Sequence, residues 1–255
     1  MSDTTDFDGR GVVVTGAGSG IGRAAALRFA SLGAKVLVAD INPVGAQAVA
    51  KEIEANGGTA RTVVGDLSDQ ATVEEVVTTA VESFGNLGVL VNNAGIMDRM
   101  TATADVSDAE WDRVIRINLT APFLLTRAAL PHMLARGKGA IVNTASEAGL
   151  RGSAAGTAYT VSKHGIIGLT KSTAVMYRDR GIRVNAIAPG GTQTHITDTV
   201  TFDGYGASIV GRYQENLGRM AAADEVAAAI VFLASAAASN ISGVVLPVDD
   251  GWSAV

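Results

Sequence analysis

Seven short runs of apolar, β-branched residues recur along the chain, and most are followed by a helix-length stretch. Their inner residues are continuously apolar rather than alternating, which is typical of parallel strands covered on both faces. Alternating strands and helices at this spacing predict an α/β fold with a doubly wound parallel sheet, in one domain over residues 1–255. The predicted strands are 11–16, 35–40, 60–66, 87–95, 139–146, 181–190 and 243–251, and the predicted helices include 21–32, 44–56, 71–84, 110–134 and 158–179.

Composition limits the partners that such a domain can have. The 255 residues carry a formal net charge of -5 with no block of Lys or Arg, so we expect no nucleic-acid surface. Cysteine is absent, which excludes disulfides and thiolate chemistry. The acidic, polar start does not resemble a signal peptide, and the nearly apolar run 226–238 is too short to cross a bilayer. We therefore expect a soluble, cytoplasmic protein without a membrane partner.

The glycine-rich stretch TGAGSGIG (15–22) follows the first strand and opens a helix. Its frame is Gly16-x-x-x-Gly20-x-Gly22 rather than G-x-G-x-x-G. Glycines here permit a tight turn and close backbone approach, while the helix N-terminus offers amide donors to a pyrophosphate. An ordinary strand-to-helix turn is the alternative, but the position after the first strand favours a dinucleotide site.

Polar residues also follow the next three strands. Asp40 ends the second strand, where a carboxylate can accept hydrogen bonds from ribose hydroxyls and repels a 2′-phosphate, so NAD is favoured over NADP. Arg23 is the one cation here that could instead favour the 2′-phosphate of NADP. Asp66 precedes a helix, so it can belong to an N-cap region, lie with Leu67 beside the adenine, or do both. NNAG (92–95) can form a turn or line the cofactor, and the two roles are not exclusive.

Tyr159 and Lys163 are four residues apart in a predicted helix, so both side chains can face the same crevice. A phenol with a pKa near 10 is a poor proton acceptor at neutral pH, and a neighbouring ammonium is expected to lower that pKa. Ser146 comes 13 residues earlier, just past the fifth strand. No histidine has a partner at metal-ligand spacing, so we expect no metal site.

The chain resembles the short-chain dehydrogenase/reductase family, in its compact single-domain branch. The resemblance is carried by TGAGSGIG, NNAG, Asn118, Ser146, the Tyr159/Lys163 pair and PGGTQT (189–194), in that order over nearly the whole chain. It implies a Rossmann-type sheet and hydride transfer between NAD(H) and a secondary alcohol or ketone. Tyr159 would be the general acid/base, Ser146 would orient the substrate oxygen, Lys163 would hold the nicotinamide ribose, and Asn118 would hold a relay water.

The same resemblance implies a larger set of cofactor-binding positions, some shared with the catalytic set. They are Gly16, Ser19, Gly20, Ile21, Gly22, Asp40, Ile41, Asp66, Leu67, Asn93, Ala94, Gly95, Tyr159, Lys163, Pro189, Gly190, Thr192 and Thr194. Asp250 stands where the family often has a second glycine, which leaves the local turn uncertain. His195 either reaches the pocket or lies exposed in a loop, and Glu147 either touches substrate or points to solvent.

Residues of about 195–218 are rich in glycine and predict a mobile substrate lid. Three functions remain open. The first is an NAD-dependent dehydrogenase of a small-molecule alcohol or ketone. The second is a 3-oxoacyl-thioester reductase, for which Arg136 and Arg180 would suit an acidic carrier protein. The third is a non-catalytic dinucleotide-binding regulator, which predicts a broken catalytic position. The family habit adds the expectation of a homotetramer.

Overall fold

A computed structural model describes residues 6–198 and 202–255. This part of the chain forms one sheet of seven strands, all parallel, in the order β3-β2-β1-β4-β5-β6-β7. The prediction of a single α/β domain with a doubly wound parallel sheet is confirmed. The strands are β1 Gly11–Thr15, β2 Lys35–Asp40, β3 Thr59–Val64, β4 Val89–Asn92, β5 Gly139–Thr144, β6 Ile182–Pro189 and β7 Val245–Val248.

Helices cover both faces of this sheet. One core layer packs β1 and β2 against the helices of residues 20–31, 43–55 and 223–234, and the other packs the opposite face against those of residues 70–84 and 121–135. Covered faces explain the continuous apolar runs, because every residue of β1 and β4 is buried. The helices are α1 Gly20–Ser31, α2 Pro43–Ala55, α3 Gln70–Phe84, α4 Asp108–Ile115, α5 Ala121–Ala135, α6 Thr157–Tyr177, α7 Gly204–Gly211 and α8 Ala223–Ala234.

The helix predicted over 110–134 is interrupted. A π-helical turn, Arg116–Thr120, joins α4 to α5 and contains the buried Asn118. A single helical turn of this kind frequently marks a functional position, because it displaces one residue from the regular hydrogen-bond ladder. The predicted strand 243–251 is also shorter than expected, since β7 ends at Val248.

The turn after β7 settles the question that Asp250 raised. Asp250 has φ of 55°, in the left-handed region that favours glycine. Aspartate enters this region more readily than most residues, and its Oδ2 accepts a hydrogen bond from the backbone N–H of Arg219 at 3.2 Å. The turn that a glycine usually makes is therefore kept, with a side-chain contact added.

The strand order reverses between β1 and β4, so a crevice opens beyond their carboxyl ends. The glycine-rich stretch, Asp40 and the NNAG stretch follow β1, β2 and β4 and therefore meet at this edge. Among residues 6–198 and 202–255, no helix is both long and apolar enough to cross a membrane.

Candidate active site

A cavity of about 940 Å³ lies at the carboxyl edge of the sheet. Its walls contain all the predicted site residues except Gly22 and Asn118. Gly22 is the last residue of the glycine-rich stretch, and a Cβ on it would sit 2.1 Å from the carbonyl oxygen of Gly16. Glycine is needed there because the first turn of α1 packs directly on the backbone of Gly16 and the side chain of Asn93.

The N-terminus of α1 offers backbone N–H donors to this cavity. Gly16 turns the chain with φ of 61°, and a Cβ on it would lie 2.9 Å from the Cα of Ala94. Ser19 stands at the N-cap of α1 but its side chain makes no capping hydrogen bond. The first amides of the helix therefore face the cavity with the Ser19 hydroxyl beside them, an arrangement suited to an anion.

Thr15 joins the ends of β1 and β4, the two strands between which the strand order reverses. Its hydroxyl donates to the carbonyl of Val91 and accepts from the N–H groups of Asn93 at 2.9 Å and Ala94 at 3.0 Å. The Asn93 amide in turn donates to the carbonyl of Thr15. Asn93 thus both shapes the turn and lines the cavity, as the sequence left open. Thr15 was missed because a threonine at a strand end has no distinctive spacing.

Asp40 occupies the nucleotide end of the cavity. Its two oxygens accept from the backbone N–H groups of Gly18 and Asn42, each at 2.8 Å. Arg23, the competing cation, forms an ion pair with Glu52 of α2, with the closest N–O distance 2.6 Å. Because Arg23 is paired with Glu52, it does not offset the negative charge of Asp40.

Asp66 and Leu67 also line the nucleotide end of the cavity. Arg116, which the sequence analysis missed, contacts Asp66 there. Asp66 accepts from the N–H and hydroxyl of Ser68, and Arg116 donates to it at 3.2 Å. The hydrogen bonds from Ser68, together with Arg116, hold the pKa of Asp66 below its usual value. The N-cap of α3 is Asp69, and Asp66 lies in the turn that leads into it, so Asp66 both belongs to this region and lines the cavity.

Ser146, Tyr159 and Lys163 converge at the other end. Tyr159 and Lys163 are buried on α6, and the Lys163 Nζ lies 5.3 Å from the centroid of the Tyr159 ring. Lys163 donates to the carbonyl oxygen of Thr144 at 2.9 Å. The Ser146 hydroxyl lowers the pKa of the Tyr159 phenol and thereby favours its ionised form. An acid–base group, its hydroxyl neighbour and an ammonium therefore share one wall of the cavity.

The expected low pKa of Tyr159 is not produced by the protein's own groups. Burial raises this pKa to about 12, against the lowering effect of Ser146, and the charge of Asp98 adds to the rise. Burial also lowers the pKa of Lys163 to about 8. Desolvation disfavours the charged form of both residues, and here it outweighs the attraction that the i, i+4 spacing suggested.

Asn118 lies behind this wall rather than in it. Its Oδ1 accepts from the N–H of Ile96 at 2.9 Å, while its amide donates to the carbonyl of Ile96 at 2.9 Å and to Ser162 at 3.2 Å. The side chain thus anchors the segment that follows NNAG. A Cβ added to Gly95 would lie 3.3 Å from Asn118 Oδ1 and 3.5 Å from Lys163 Nζ, so all three groups meet closely.

The loop after β6 closes the cavity over the glycine-rich stretch. Pro189, Gly190, Thr192 and Thr194 all line it, and the Thr194 methyl lies close to Gly20, 3.1 Å from where a Cβ would be. His195 also reaches the wall, but it is highly exposed and pairs with Asp198 at 2.7 Å. In the described ranges, no three acidic or histidine side chains are grouped to hold a metal ion.

Glu147 neither touches the cavity nor points to solvent, so both expectations for it are wrong. It is buried and forms an ion pair with Arg151, whose guanidinium stacks over Trp252. Burial is the main reason that the pKa of Glu147 is raised, and the nearby Asp249 raises it further. The residue next to Ser146 therefore anchors the segment after β7 beneath the active-site loop.

Comparison with known proteins agrees with this geometry. The family model described as short chain dehydrogenase matches residues 10–203. The chain belongs to the short-chain dehydrogenase/reductase family. It is 43% identical to cis-4-hydroxycyclohexanecarboxylate dehydrogenase of Sinomonas cyclohexanicum, covering 98% of both chains, and 41% identical to 3beta-hydroxysteroid dehydrogenase 2 of Eggerthella lenta, covering 96% of this chain and 95% of the relative.

A solved structure has the same fold. The structure, described as an NAD(P)-dependent gluconate 5-dehydrogenase from Beutenbergia cavernae with NADP bound at low occupancy, superposes with a TM-score of 0.87 at 40% identity, covering 99% of this chain and 100% of the other. This chain is accordingly an oxidoreductase of the family that acts on CH–OH groups with a nicotinamide dinucleotide. The family membership leaves the choice between NAD and NADP to the site itself.

Proposed function

We propose that this protein transfers a hydride between NAD(H) and a secondary alcohol or its ketone, with Tyr159 as the general acid/base. The observation that carries the proposal is the shared cavity. The buried Tyr159 and Lys163 line the same cavity as Ser146 and the N-terminus of α1. A proton-transfer group next to a dinucleotide cradle is the arrangement that alcohol oxidation requires.

The residues divide the proton chemistry among them. The Ser146 hydroxyl orients the substrate oxygen, and the Tyr159 phenol takes the alcohol proton during oxidation or returns one during reduction. Lys163 supplies positive charge near the ring, and its link to Thr144 fixes where that charge lies. The nicotinamide, when bound, exchanges the hydride with the substrate carbon, and its oxidised form adds a positive charge that favours the phenolate.

The remaining cavity residues hold the cofactor. The first amides of α1 and Ser19 would bind the pyrophosphate, and Asp66 and Leu67 would border the adenine. Asn93, Ala94 and Gly95 would line the middle of the cofactor. The positions assigned to the nicotinamide end are Lys163 for the ribose, with Pro189, Gly190, Thr192 and Thr194 around the carboxamide.

NAD is the proposed cofactor because of the charge at Asp40. A carboxylate held by two backbone amides can still accept from ribose hydroxyls, and it repels a 2′-phosphate. Arg23, the cation considered for that phosphate, is paired with Glu52. This preference differs from the NADP bound in the gluconate dehydrogenase structure, so it needs its own test.

We propose a ring alcohol as the substrate. Two relatives, each more than 40% identical over nearly the full length, are named for substrates whose hydroxyl is attached to a carbon ring. The walls of the cavity include the apolar side chains of Ile96, Met97 and Ile196, and Met97 packs in the cluster that contains Tyr159, so a ring would find apolar contacts there. The segment of about 195–218 would act as the lid; α7 lies within it, while residues 199–201 are outside the described residues.

The thioester reductase remains a weaker candidate. Arg136 follows α5 and Arg180 precedes β6, so both lie at the amino edge of the sheet, away from the cavity. A carrier protein docked on them would not deliver its thioester to Tyr159. The regulator is also disfavoured, because none of the four catalytic positions is replaced.

Assembly into a homotetramer and a cytoplasmic location stay predictions. Large apolar side chains are exposed on the helices and on the sheet edge where a second copy would pack: Trp111 on α4, Phe123 on α5, Phe232 on α8 and Val244 before β7. The Asn118 relay also stays a prediction, and the π-helical turn beside Lys163 is the feature that supports it.

The test is Tyr159→Phe, with Tyr177→Phe at the end of the same helix as its matched control. Tyr159→Phe should bind NADH as the wild type does, because the phenol oxygen alone is removed. Its kcat for cyclohexanol-type alcohols should fall about 10²–10⁴-fold, whereas Tyr177→Phe should keep wild-type kcat. Nicotinamide absorbance measures turnover, and quenching of protein fluorescence measures NADH binding. Full turnover by Tyr159→Phe would sink the assignment.

A further inference from the structure

Asp98 is a buried carboxylate for which the proposed mechanism has no role. It is only 1% exposed and follows the NNAG stretch, three residues after Gly95. Its neighbours Met97 and Arg99 line the cavity, but Asp98 turns away from it. A buried carboxylate is costly unless its oxygens are satisfied, so its partners indicate why it is there.

Three backbone amides surround this carboxylate. Oδ1 accepts from the N–H of Met100 at 2.9 Å and of Gly156 at 3.1 Å, and Oδ2 accepts from the N–H of Tyr159 at 2.9 Å. The last of these is the amide of the proposed acid/base residue itself. These amides favour the charged carboxylate, while burial is the largest effect on its pKa and raises it.

The contact replaces a helix cap that α6 lacks. The N-cap of α6 is Gly156, which has no side chain to bind the free amides of the first turn. Tyr159 is at the third position of the helix, where an N-cap aspartate would normally bond. A Cβ on Gly156 would lie 2.6 Å from Asp98 Oδ2, so the glycine admits the carboxylate from a different segment.

The segment that carries Asp98 is strained and tied at both ends. Met100 has φ of 55°, which is unusual for a side chain of its size, and the Asp98–Met100 hydrogen bond spans this turn. Two residues before Asp98, Ile96 is bound through both its N–H and its carbonyl to Asn118. Glu110 of α4 accepts from the N–H of Arg99 on the other side. Strain of this kind persists only where surrounding contacts hold it.

We propose that Asp98 is a positioning residue, which fixes the Tyr159 phenol relative to the cofactor loop by joining the NNAG segment to the first turn of α6. The proposal rests on the proposed function of Tyr159. Asp98 does not act by making the phenol more acidic, because its negative charge raises the pKa of Tyr159. The benefit of the contact is therefore geometric.

Asp98→Asn is the decisive variant, because it keeps the shape but has one acceptor oxygen for three amides. We expect kcat to fall about tenfold or more, since small misplacement of a reacting group is costly, with the Kd for NADH within about twofold of wild type, as cofactor contacts are retained. Asp69→Asn, which makes the same substitution at the exposed N-cap of α3, is the matched control and should leave kcat unchanged. Urea unfolding of both variants measures the accompanying loss of stability.

Two results would overturn the proposal: an undiminished kcat in Asp98→Asn, or kcat and NADH affinity falling together by the same factor. If the wild type oxidises no alcohol offered, the proposed function fails and Asp98 is judged by NMR of ring-labelled tyrosine. The Tyr159 signal, assigned by its loss in Tyr159→Phe, should then shift or split in Asp98→Asn but not in Asp69→Asn. An unchanged signal would refute the positioning role.

Discussion

Replacing Lys163 by methionine should stabilise the fold while removing turnover. The ammonium is buried, and its contact in the described residues is the carbonyl oxygen of Thr144 rather than a carboxylate. Burial lowers its pKa from 10.5 to about 8. A charged lysine that is buried in this way lowers the free energy of unfolding at neutral pH, because the unfolded chain solvates the same charge fully.

The size of this cost follows from the pKa difference. The lowering of the Lys163 pKa from 10.5 to about 8 corresponds to roughly 3 kcal/mol at pH values below 8. Methionine forfeits the hydrogen bond to Thr144, worth about 1 kcal/mol. The net gain is about 2 kcal/mol, or a rise in Tm of about 4–8 °C for a chain of this length.

The pH dependence gives the sign of the effect. Between about pH 8 and the unfolded value of 10.5, the unfolded lysine binds a proton that the folded one has lost, so wild-type stability rises with pH. The advantage of Lys163→Met should therefore be complete below pH 8 and shrink towards alkaline pH. Lys171→Met is the control, because Lys171 lies exposed on the same helix.

Urea unfolding followed by circular dichroism at about pH 7 and about pH 10 measures both variants. Lys171→Met should change the free energy of unfolding by less than about 0.5 kcal/mol at either pH. A Lys163→Met protein that is less stable than wild type at neutral pH, or whose gain is the same at both pH values, would refute the reasoning.

Two further predictions concern the ends of the cavity. Asp40→Ala should lower the preference for NADH over NADPH, because it removes the charge that repels the 2′-phosphate; fluorescence titration with both cofactors checks this, and an unchanged ratio of Kd values would contradict it. Arg151→Ala should lower the free energy of unfolding by about 3 kcal/mol, since it strips the buried Glu147 of its partner. Under the same urea titration, Arg178→Ala, which breaks the exposed pair with Asp179, should cost under about 1 kcal/mol, and equal losses would show that burial does not matter.

The fold could be predicted because its signal is repeated and local. Each parallel strand needs apolar residues on both faces, so β1, β2 and β4 were recognisable one at a time. The short helix α7 left no such signal, because three of its eight residues are glycine and its apolar positions lack a regular spacing. The π-helical turn at Asn118 was also hidden, since an extra residue in one turn leaves the composition of a helix unchanged.

Site residues could be predicted where their position in the sequence fixes their place in the sheet. Asp40 and Ser146 come just after strands, and parallel strands bring those ends to one edge. Asp98 and Glu147 could not be predicted in this way. Asp98 depends on a partner 58 residues away in the sequence, Gly156. Glu147 depends on the segment after β7. Pairings of that kind exist only once the chain has folded.

The ionisation of the central pair shows the same limit in energetic terms. Spacing places Tyr159 and Lys163 together, but the sign of their pKa shifts depends on how much water the fold removes from them. Burial moves both pKa values against the charged forms, to about 12 for Tyr159 and about 8 for Lys163. The protein alone therefore keeps the phenol protonated, and the Ser146 hydroxyl only moderates that tendency. In this site the residues hold the proton in place until added positive charge at the cofactor end favours its transfer.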